Sequence, residues 1–382
     1  MVLRRKSEPE IIPNYSLTGD LLSFSRCELQ YRYHNGSSLP PSRPVQLWFG
    51  EFIHGIMESA YRIWRESTPE FPWHCNPTPY RADPQPDRQM HDIGTIGDTV
   101  ETSLRARGKN PRSANLRDSG YRRAERAVNE IGPHLFPLIS AAEQKVIGTR
   151  DLPARPNARS NRYELHGVID VVTNVQLSDA PEGNVIRQAI QNACPDLQGN
   201  FEVIVDYKGS RRPDVGNPYW NQGEWQLQTY AWLRMRQAES LPVAAGVLIY
   251  INELAPGSSD LSKLKTDINQ NRTDVFPTQG SNDSYLLNAW RPGNAIPDFS
   301  QEFLLSRAIR IIPFNEQQQD QALAEFDQVV TNIEGCVDRE GTAGNIIGNW
   351  DHCGDEETCA ACDFRHFCPH PNQNNIQAPD TP

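Results

Sequence analysis

The chain has 382 residues, with 37 lysines and arginines against 48 aspartates and glutamates and a net charge of −11. That length gives one large domain or two medium ones an ample core. The acidity argues against a protein that coats nucleic acid, while leaving room for a local basic groove and for carboxylate metal sites. No run of about 18 apolar residues could span a bilayer, and the opening MVLRRKSEPE lacks the apolar segment of a secretory signal. A cytoplasmic protein with no membrane partner is expected, its eight cysteines acting as thiols or metal ligands rather than disulfides.

Residues 1–13 are charged, contain proline and are expected to be disordered. From Leu17, the text LTGDLLSFSRCELQYRYH reads as a helix with Thr18 or Ser23 as N-cap, and it carries Cys27. After a proline-rich loop, Pro40 to Pro44, a second helix is expected over about Gln46 to Glu66, where Phe49, Phe52, Ile53, Ile56, Ala60, Ile63 and Trp64 recur at helical spacing. His54 and Glu58 share one side of it. Residues 67–100 hold many prolines and read as a loop or inserted lobe. From Arg105 to Arg126 the charge changes sign: Arg105, Arg107, Lys109, Arg112, Arg117, Arg122, Arg123 and Arg126 meet only Asp118 and Glu125. Either a solvated helix face or a phosphate-contacting surface produces that pattern.

Strands are expected around Lys145–Leu152 and over Tyr163–Val172, YELHGVIDVV, which sets Asp170 between Ile169 and Val171. An acid in that position needs a partner or a cation. A polar insertion over about 174–200 with one short helix separates this strand from FEVIVDYKGS, Phe201–Ser210. There Val203, Ile204 and Val205 form a β-branched run that ends in Asp206 and Lys208, side by side on one face. Arg211 and Arg212 add local positive charge. A helix over Tyr219–Ala238 carries Gln226 and Tyr230 one turn apart, and AGVLIYI, Ala245–Ile251, is a further buried strand. Residues 254–305 read as an insertion with little core. Ala308–Phe314 is an expected edge strand, and Asn315 caps a helix over Glu316–Cys336. Residues 373–382 are expected to be a disordered tail. The order of elements is that of a mixed sheet flanked by helices, in an α/β domain over 14–372.

Asp170, Asp206 and Lys208 at strand ends, with His54 on a helix packed nearby, offer oxygen donors and one imidazole to a hard cation, Mg²⁺ or Mn²⁺. Such an ion activates water and stabilises a departing phosphate oxygen, and Lys208 would orient or deprotonate that water. With Gly167 to Asp170 as G-x-x-D, VDYK as D-x-K, His54 upstream and QLQTY downstream, these residues resemble the successive motifs of PD-(D/E)XK nucleases of the RecB type. The resemblance implies a restriction-endonuclease-like core. It also implies Asp170, Asp206, His54 and the Tyr207 carbonyl as metal ligands, Lys208 on the attacking water, and Gln226 and Tyr230 as supports of the site and the DNA. It implies a metal-dependent deoxyribonuclease, an exonuclease on single strands or ends, serving repair, recombination or antiviral defence. The other reading is a catalytically quiet DNA-binding scaffold in such a complex. Arg105, Arg107, Lys109, Arg112, Arg122, Arg123, Arg211 and Arg212 are the candidate nucleic-acid contacts. No Walker A sequence is present, so any helicase partner is another chain.

The cysteines narrow the resemblance. Cys27 in RCELQYRY and the C-x2-C-x5-C group Cys359, Cys362 and Cys368 are similar to the cysteines of the subset that includes CRISPR-adaptation exonucleases and AddB-type repair nucleases. In that subset four thiolates hold a [4Fe-4S] cluster, which here would join the helical N- and C-terminal parts. A local zinc site of Cys353, Cys359, Cys362 and Cys368, without Cys27, is the alternative. Cys75, Cys194 and Cys336 have no partner pattern.

Overall fold

The β-branched run Val203–Val205 is fully buried, with Val203 and Val205 on one face of the chain and Ile204 on the other. Both faces are therefore covered, and this segment lies inside the sheet rather than at its surface. The computed structural model describes residues 12–35, 45–75, 91–153, 159–175, 181–355, 358–359, 362, 364–365 and 368–369. The expected disordered ends, apart from residues 12 and 13, and the Pro40–Pro44 loop lie outside them.

In chain order the elements are β1 (Asn14–Ser16), α1 (Leu22–Arg26), α2 (Glu28–His34), α3 (Val45–Ser67), α4 (Ile93–Ala106), α5 (Ala114–Leu135), β2 (Ile139–Asp151), β3 (Arg162–Val175) and α6 (Val185–Ala193). There follow β4 (Phe201–Lys208), α7 (Pro218–Arg234), β5 (Val243–Tyr250), α8 (Ile251–Leu254), α9 (Ser258–Asn269), α10 (Asn282–Ala289), α11 (Gln301–Ala308), β6 (Ile309–Pro313) and α12 (Glu316–Ala343). The sheet runs β1-β3-β4-β5-β6, with β2 antiparallel along the other edge of β3. β1 is parallel to β3 and β4 is parallel to β5, while the β3–β4 and β5–β6 pairs are antiparallel. This is the mixed α/β arrangement that the pattern of elements predicts.

Two cores clothe the sheet. On one face Phe49, Phe52, Ile53 and Ile56 of α3 pack with Ala124, Val128 and Ile131 of α5 against Val171, Val203, Val205 and Val247. On the other, Leu227, Tyr230 and Ala231 of α7 and Leu323, Phe326 and Val330 of α12 pack with the N-terminal Leu17, Leu21 and Phe24 against Leu165, Ile169, Val172, Ile204 and Leu248. The helix α12 runs past the expected Cys336 and stops where Gly344, at φ +70, supplies the left-handed C-terminal residue.

Several segments differ from the sequence reading. The 67–100 stretch is not loop throughout: α4 starts at Ile93, N-capped by Asp92, and Val100 fits against Gly55 of α3 so closely that a Cβ there would lie 2.7 Å from it. The basic stretch is two helices, separated at Gly108 (φ +77), rather than one. Within 174–200, α6 is capped by Asn184 and buries Ile186 and Ile190. The 254–305 segment has a core of its own, in which Leu261, Leu264, Leu287, Trp290, Phe299 and Phe303 pack together. Leu261 and Leu264, Leu287 and Trp290, and Phe299 and Phe303 lie three or four residues apart, but only folding brings the three pairs together.

Candidate metal and nucleic-acid site

The site lies where β3 and β4 part. β1 and β4 divide one edge of β3: Asn14–Ser16 lies opposite Glu164–His166, and Phe201–Val205 lies opposite Val171–Val175. Gly167–Asp170 falls in the fork between them. There the Asp170 carboxylate stands in for the next rung of the ladder, its Oδ2 accepting from the Tyr207 backbone N–H at 2.9 Å. The alternation of β3 slips at the same point, because Ile169 packs in the core beside α7 and Val171 in the core beside α3. Directly across β2, Glu143 takes φ +51, which is unusual inside a strand. Local irregularity of this kind re-aims side chains.

His54, on α3, bridges the fork. Its Nδ1 is 3.2 Å from Asp170 Oδ1, and its Nε2 donates to the Tyr207 carbonyl at 2.9 Å. Both nitrogens face acceptors, so a ring protonated on both satisfies them. Burial alone would lower the imidazole pKa, but the charge and hydrogen bond of Asp170, with Asp206 behind it, lift it to about 9.

The charged pair closes a second ring. Lys208 Nζ lies 2.6 Å from Asp206 Oδ2 and donates to Gln226 Oε1, also at 2.6 Å, while Gln226 Nε2 donates to Asp206 Oδ1 at 2.9 Å. Burial pushes the Asp206 carboxyl up; Lys208 pulls it down and Asp170 pushes it up again. Tyr230, one turn beyond Gln226, lies flat against Gly167, where a Cβ would come within 2.6 Å of its ring. The glycine of G-x-x-D is thus required by the tyrosine of Q-x-x-x-Y.

Sequence reasoning missed one residue. Glu143, at the rim, has a carboxylate oxygen that lies with an Asp170 oxygen and a His54 nitrogen, all within 4.8 Å of one another. Desolvation and the charges of Asp170 and Glu58 raise its carboxyl to about 7. Nothing in its neighbourhood, AAEQKV, marks it; only its register opposite Asp170 does. The donor set fits a hard divalent cation: the Asp170 and Glu143 carboxylates, the Tyr207 carbonyl, one imidazole, and Asp206 Oδ2, a buried oxygen that touches Lys208 but receives no well-directed hydrogen bond.

The basic candidates are distributed differently from the sequence expectation. Arg105 and Arg117 pair with Glu101, at 2.5 and 2.7 Å, and Arg107 and Lys109 both pair with Glu51. Arg123 is buried and holds Asp260 at 2.9 Å, and Arg211 holds Asp267 at 2.5 Å. Arg212 is buried, pairs with Asp274 and donates to the Ser306, Arg307 and Ile309 carbonyls. Acids outside the run, some adjacent to it and some far off in sequence, therefore neutralise much of its charge, and Arg123 and Arg212 are internal cross-links rather than surface contacts. Arg122 is exposed beside Asp118 and Glu125, and Arg112 is exposed on the loop before α5.

In a separate small cavity, Cys27, Cys353, Cys359, Cys362 and Cys368 come together with Leu29, Tyr33 and Phe364. The Cys353 backbone N–H points to Cys27 Sγ at 3.4 Å, and Cys353 Sγ is 3.7 Å from Cys359 Sγ. The structure thus joins Cys27 to the C-terminal thiols and adds Cys353, a fifth. Cys336 sits apart, between Glu28 and Arg339.

A buried carboxylate pair, a strand-end lysine and an imidazole thus meet at a fork in a mixed sheet, with donors that suit a hard divalent cation. Residues 196–369 match the profile of the PD-(D/E)XK nuclease superfamily, a match that takes in Asp206, Lys208, Gln226, Tyr230 and the three terminal cysteines. Residues 196–369 are thus similar to that superfamily, which implies metal-dependent nuclease activity for its members; His54, Glu143 and Asp170 lie outside the matched span and reach the site through the fold. No curated protein matches. Among solved structures, the crystal structure of SSO0001 is similar over 91% of this chain and 94% of that one, at 12% identity and a TM-score of 0.26, too loose an overlap to define a shared arrangement.

Proposed function

We propose that the chain is a deoxyribonuclease that hydrolyses phosphodiester bonds with Mg²⁺ or Mn²⁺ held by Asp170, Asp206, His54 and the Tyr207 carbonyl. The observation that carries this reading is the pair of hydrogen-bonded rings His54–Asp170–Tyr207 and Asp206–Lys208–Gln226, joined through the backbone of residues 206–208, which brings two acids, an imidazole and an ammonium to one strand end. When bound, the cation supplies a water of lowered pKa and stabilises charge on the leaving oxygen. Lys208 is kept at that space by Gln226 and positions the attacking water, and Tyr230 holds Gly167, and with it the Asp170 segment, in place. Single strands or DNA ends are the substrates that this reading favours, in repair, recombination or antiviral defence in the cytoplasm, with DNA opened by a partner motor such as a helicase.

The same reading assigns a [4Fe-4S] cluster to Cys27, Cys359, Cys362 and Cys368. Its support is that Cys27 shares one cavity with the C-terminal thiols, which a purely local zinc site would not require.

The test is an Mn²⁺-dependent cleavage assay on anaerobically purified protein beside Lys208→Ala. Wild type should cut DNA and the variant should lose about 10³-fold in rate, within the range of a positioned acid–base group, with unchanged thermal unfolding. A variant as active as wild type would remove Lys208 from the reaction.

A further inference from the structure

We propose that the cleft between α7 and the inserted helix α9 is the track by which a single DNA strand reaches Lys208. Tyr219 would be its base-stacking platform, and Lys263 and Arg272 would be the phosphate contacts contributed by the insertion. The inference rests on the nuclease reading and adds the strand's path to it.

Lys208 and Gln226 line a cavity of about 770 Å³. One wall is Arg26 at the end of α1 with Tyr219 in the first turn of α7; the opposite wall is Lys263 and Thr266 of α9 with Arg272 just beyond it. That volume is of the size that encloses a small ligand, about 300–1,000 Å³, which accommodates a short length of one strand. Arg26, Lys208, Arg211, Lys263 and Arg272 line the cleft against three aspartates, in a chain whose net charge is −11. Asp260 is held by Arg123 and Asp267 by Arg211, Arg272 lies 3.9 Å from both Asp214 and Asp267, and Lys208 pairs with Asp206, so the acids at the cleft are matched and Arg26 and Lys263 add to the positive side.

Among the described residues Tyr219 is one of the few large aromatic side chains left exposed, at 39%, and it stands at this cleft. Asn217 caps its helix by accepting from the Tyr219 N–H at 2.9 Å, which fixes the ring's root, and the Arg26 guanidinium lies 5.9 Å from the ring centre. A positive groove with an aromatic platform is the combination that binds single strands without base specificity. The α9 wall is rigid. Arg307 clamps Glu253 at 2.8 and 3.0 Å, Arg123 ties α5 to Asp260, and the insertion has its own apolar core.

The test measures binding of a fluorescent 15-nucleotide oligothymidylate and of a blunt duplex of equal length in EDTA, where no cleavage occurs, and cleavage of the same DNAs with Mn²⁺. Wild type should bind the strand more tightly than the duplex. Tyr219→Ala should weaken strand binding about ten-fold, from loss of base stacking. Lys263→Glu/Arg272→Glu should weaken it by a similar factor and flatten its salt dependence, while Arg65→Glu, an exposed change outside the cleft, leaves it as in wild type. All four positions are exposed, so circular dichroism and unfolding temperature should match wild type. Wild-type strand affinity in both cleft variants, or a duplex bound as tightly as the strand, would overturn the proposal and leave the nuclease reading intact. A wild-type protein that binds the strand through these residues yet cuts no DNA would retain the cleft and remove the nuclease reading.

Discussion

The fork and the cysteine cavity both gather residues far apart in sequence, but they are held in opposite ways. The fork is positioned from outside: Asp170, Asp206 and Lys208 sit on strands whose two faces are buried in separate cores, and His54 and Gln226 are carried by helices packed on those cores. The cysteine cavity lies between chain segments near the two ends, which among the described residues meet through Leu29 N–H to Asp351 O at 2.9 Å, the Cys353 N–H to Cys27 Sγ, the Arg32–Glu340 pair, and the Trp350 and Phe364 rings packed on Phe24, Tyr31 and Tyr33. A framework that already exists can lose a ligand and stay folded. A cluster on Cys27 and the C-terminal thiols would cross-link segments far apart in the chain, so the first site should answer to mutation in chemistry and the second in stability.

The largest expected effect follows at the cysteines. Cys27→Ser should give colourless protein without iron or sulfide and lower the unfolding free energy by about 3–5 kcal/mol, the scale of removing a cross-link that closes a long loop. Cys353→Ser should keep its iron, since four thiols remain for four positions. Iron and sulfide content with a denaturation curve on each variant decides it. Retention of metal in Cys27→Ser and its loss in Cys353→Ser would instead establish the local zinc site.

The comparison also explains what could be read in the sequence. The fork's main residues were legible because each is announced within a few positions: Asp206 and Lys208 end a β-branched strand, Gln226 and Tyr230 lie one helical turn apart, and His54 sits on a strongly periodic helix. Glu143 was not, because its place depends on the register of β2 and on the slip at Asp170. The basic run misled because charge was compared along the chain, whereas Arg123 meets Asp260 at a separation of 137 residues and Arg212 meets Asp274 at 62. Cys353 could be assigned to a local set but not to Cys27, since only folding brings α1 and α2 to the C-terminal segment.

A smaller effect is expected where the fork is packed. In Gly167→Ala the new methyl would start 2.6 Å from the Tyr230 ring, so the ring or the strand must shift. That should cost about 1–3 kcal/mol of stability, as overpacking does, and slow cleavage by moving Asp170 away from the Tyr207 N–H. Iron content should not change. Measuring unfolding, Mn²⁺-dependent rate and iron on one preparation tests whether the two regions are independent; iron loss in this variant would show that they are coupled.

The smallest and most discriminating effect concerns Glu143, where charge and backbone conformation can be separated. Glu143→Gln keeps the size and hydrogen-bonding capacity but removes a carboxylate beside Asp170. It should weaken Mn²⁺ binding about ten-fold, the loss typical of a supporting ligand, as read by calorimetry or by the Mn²⁺ paramagnetic signal without any turnover. Glu143→Gly should weaken binding equally, yet it frees a backbone that now holds a side chain at φ +51 and should raise stability by about 1 kcal/mol. Affinity lost and stability gained in the same variant would mean that the irregular strand is maintained to place a carboxylate. A glycine variant that loses neither would mean that the turn of the backbone at residue 143, and not its side chain, shapes the fork.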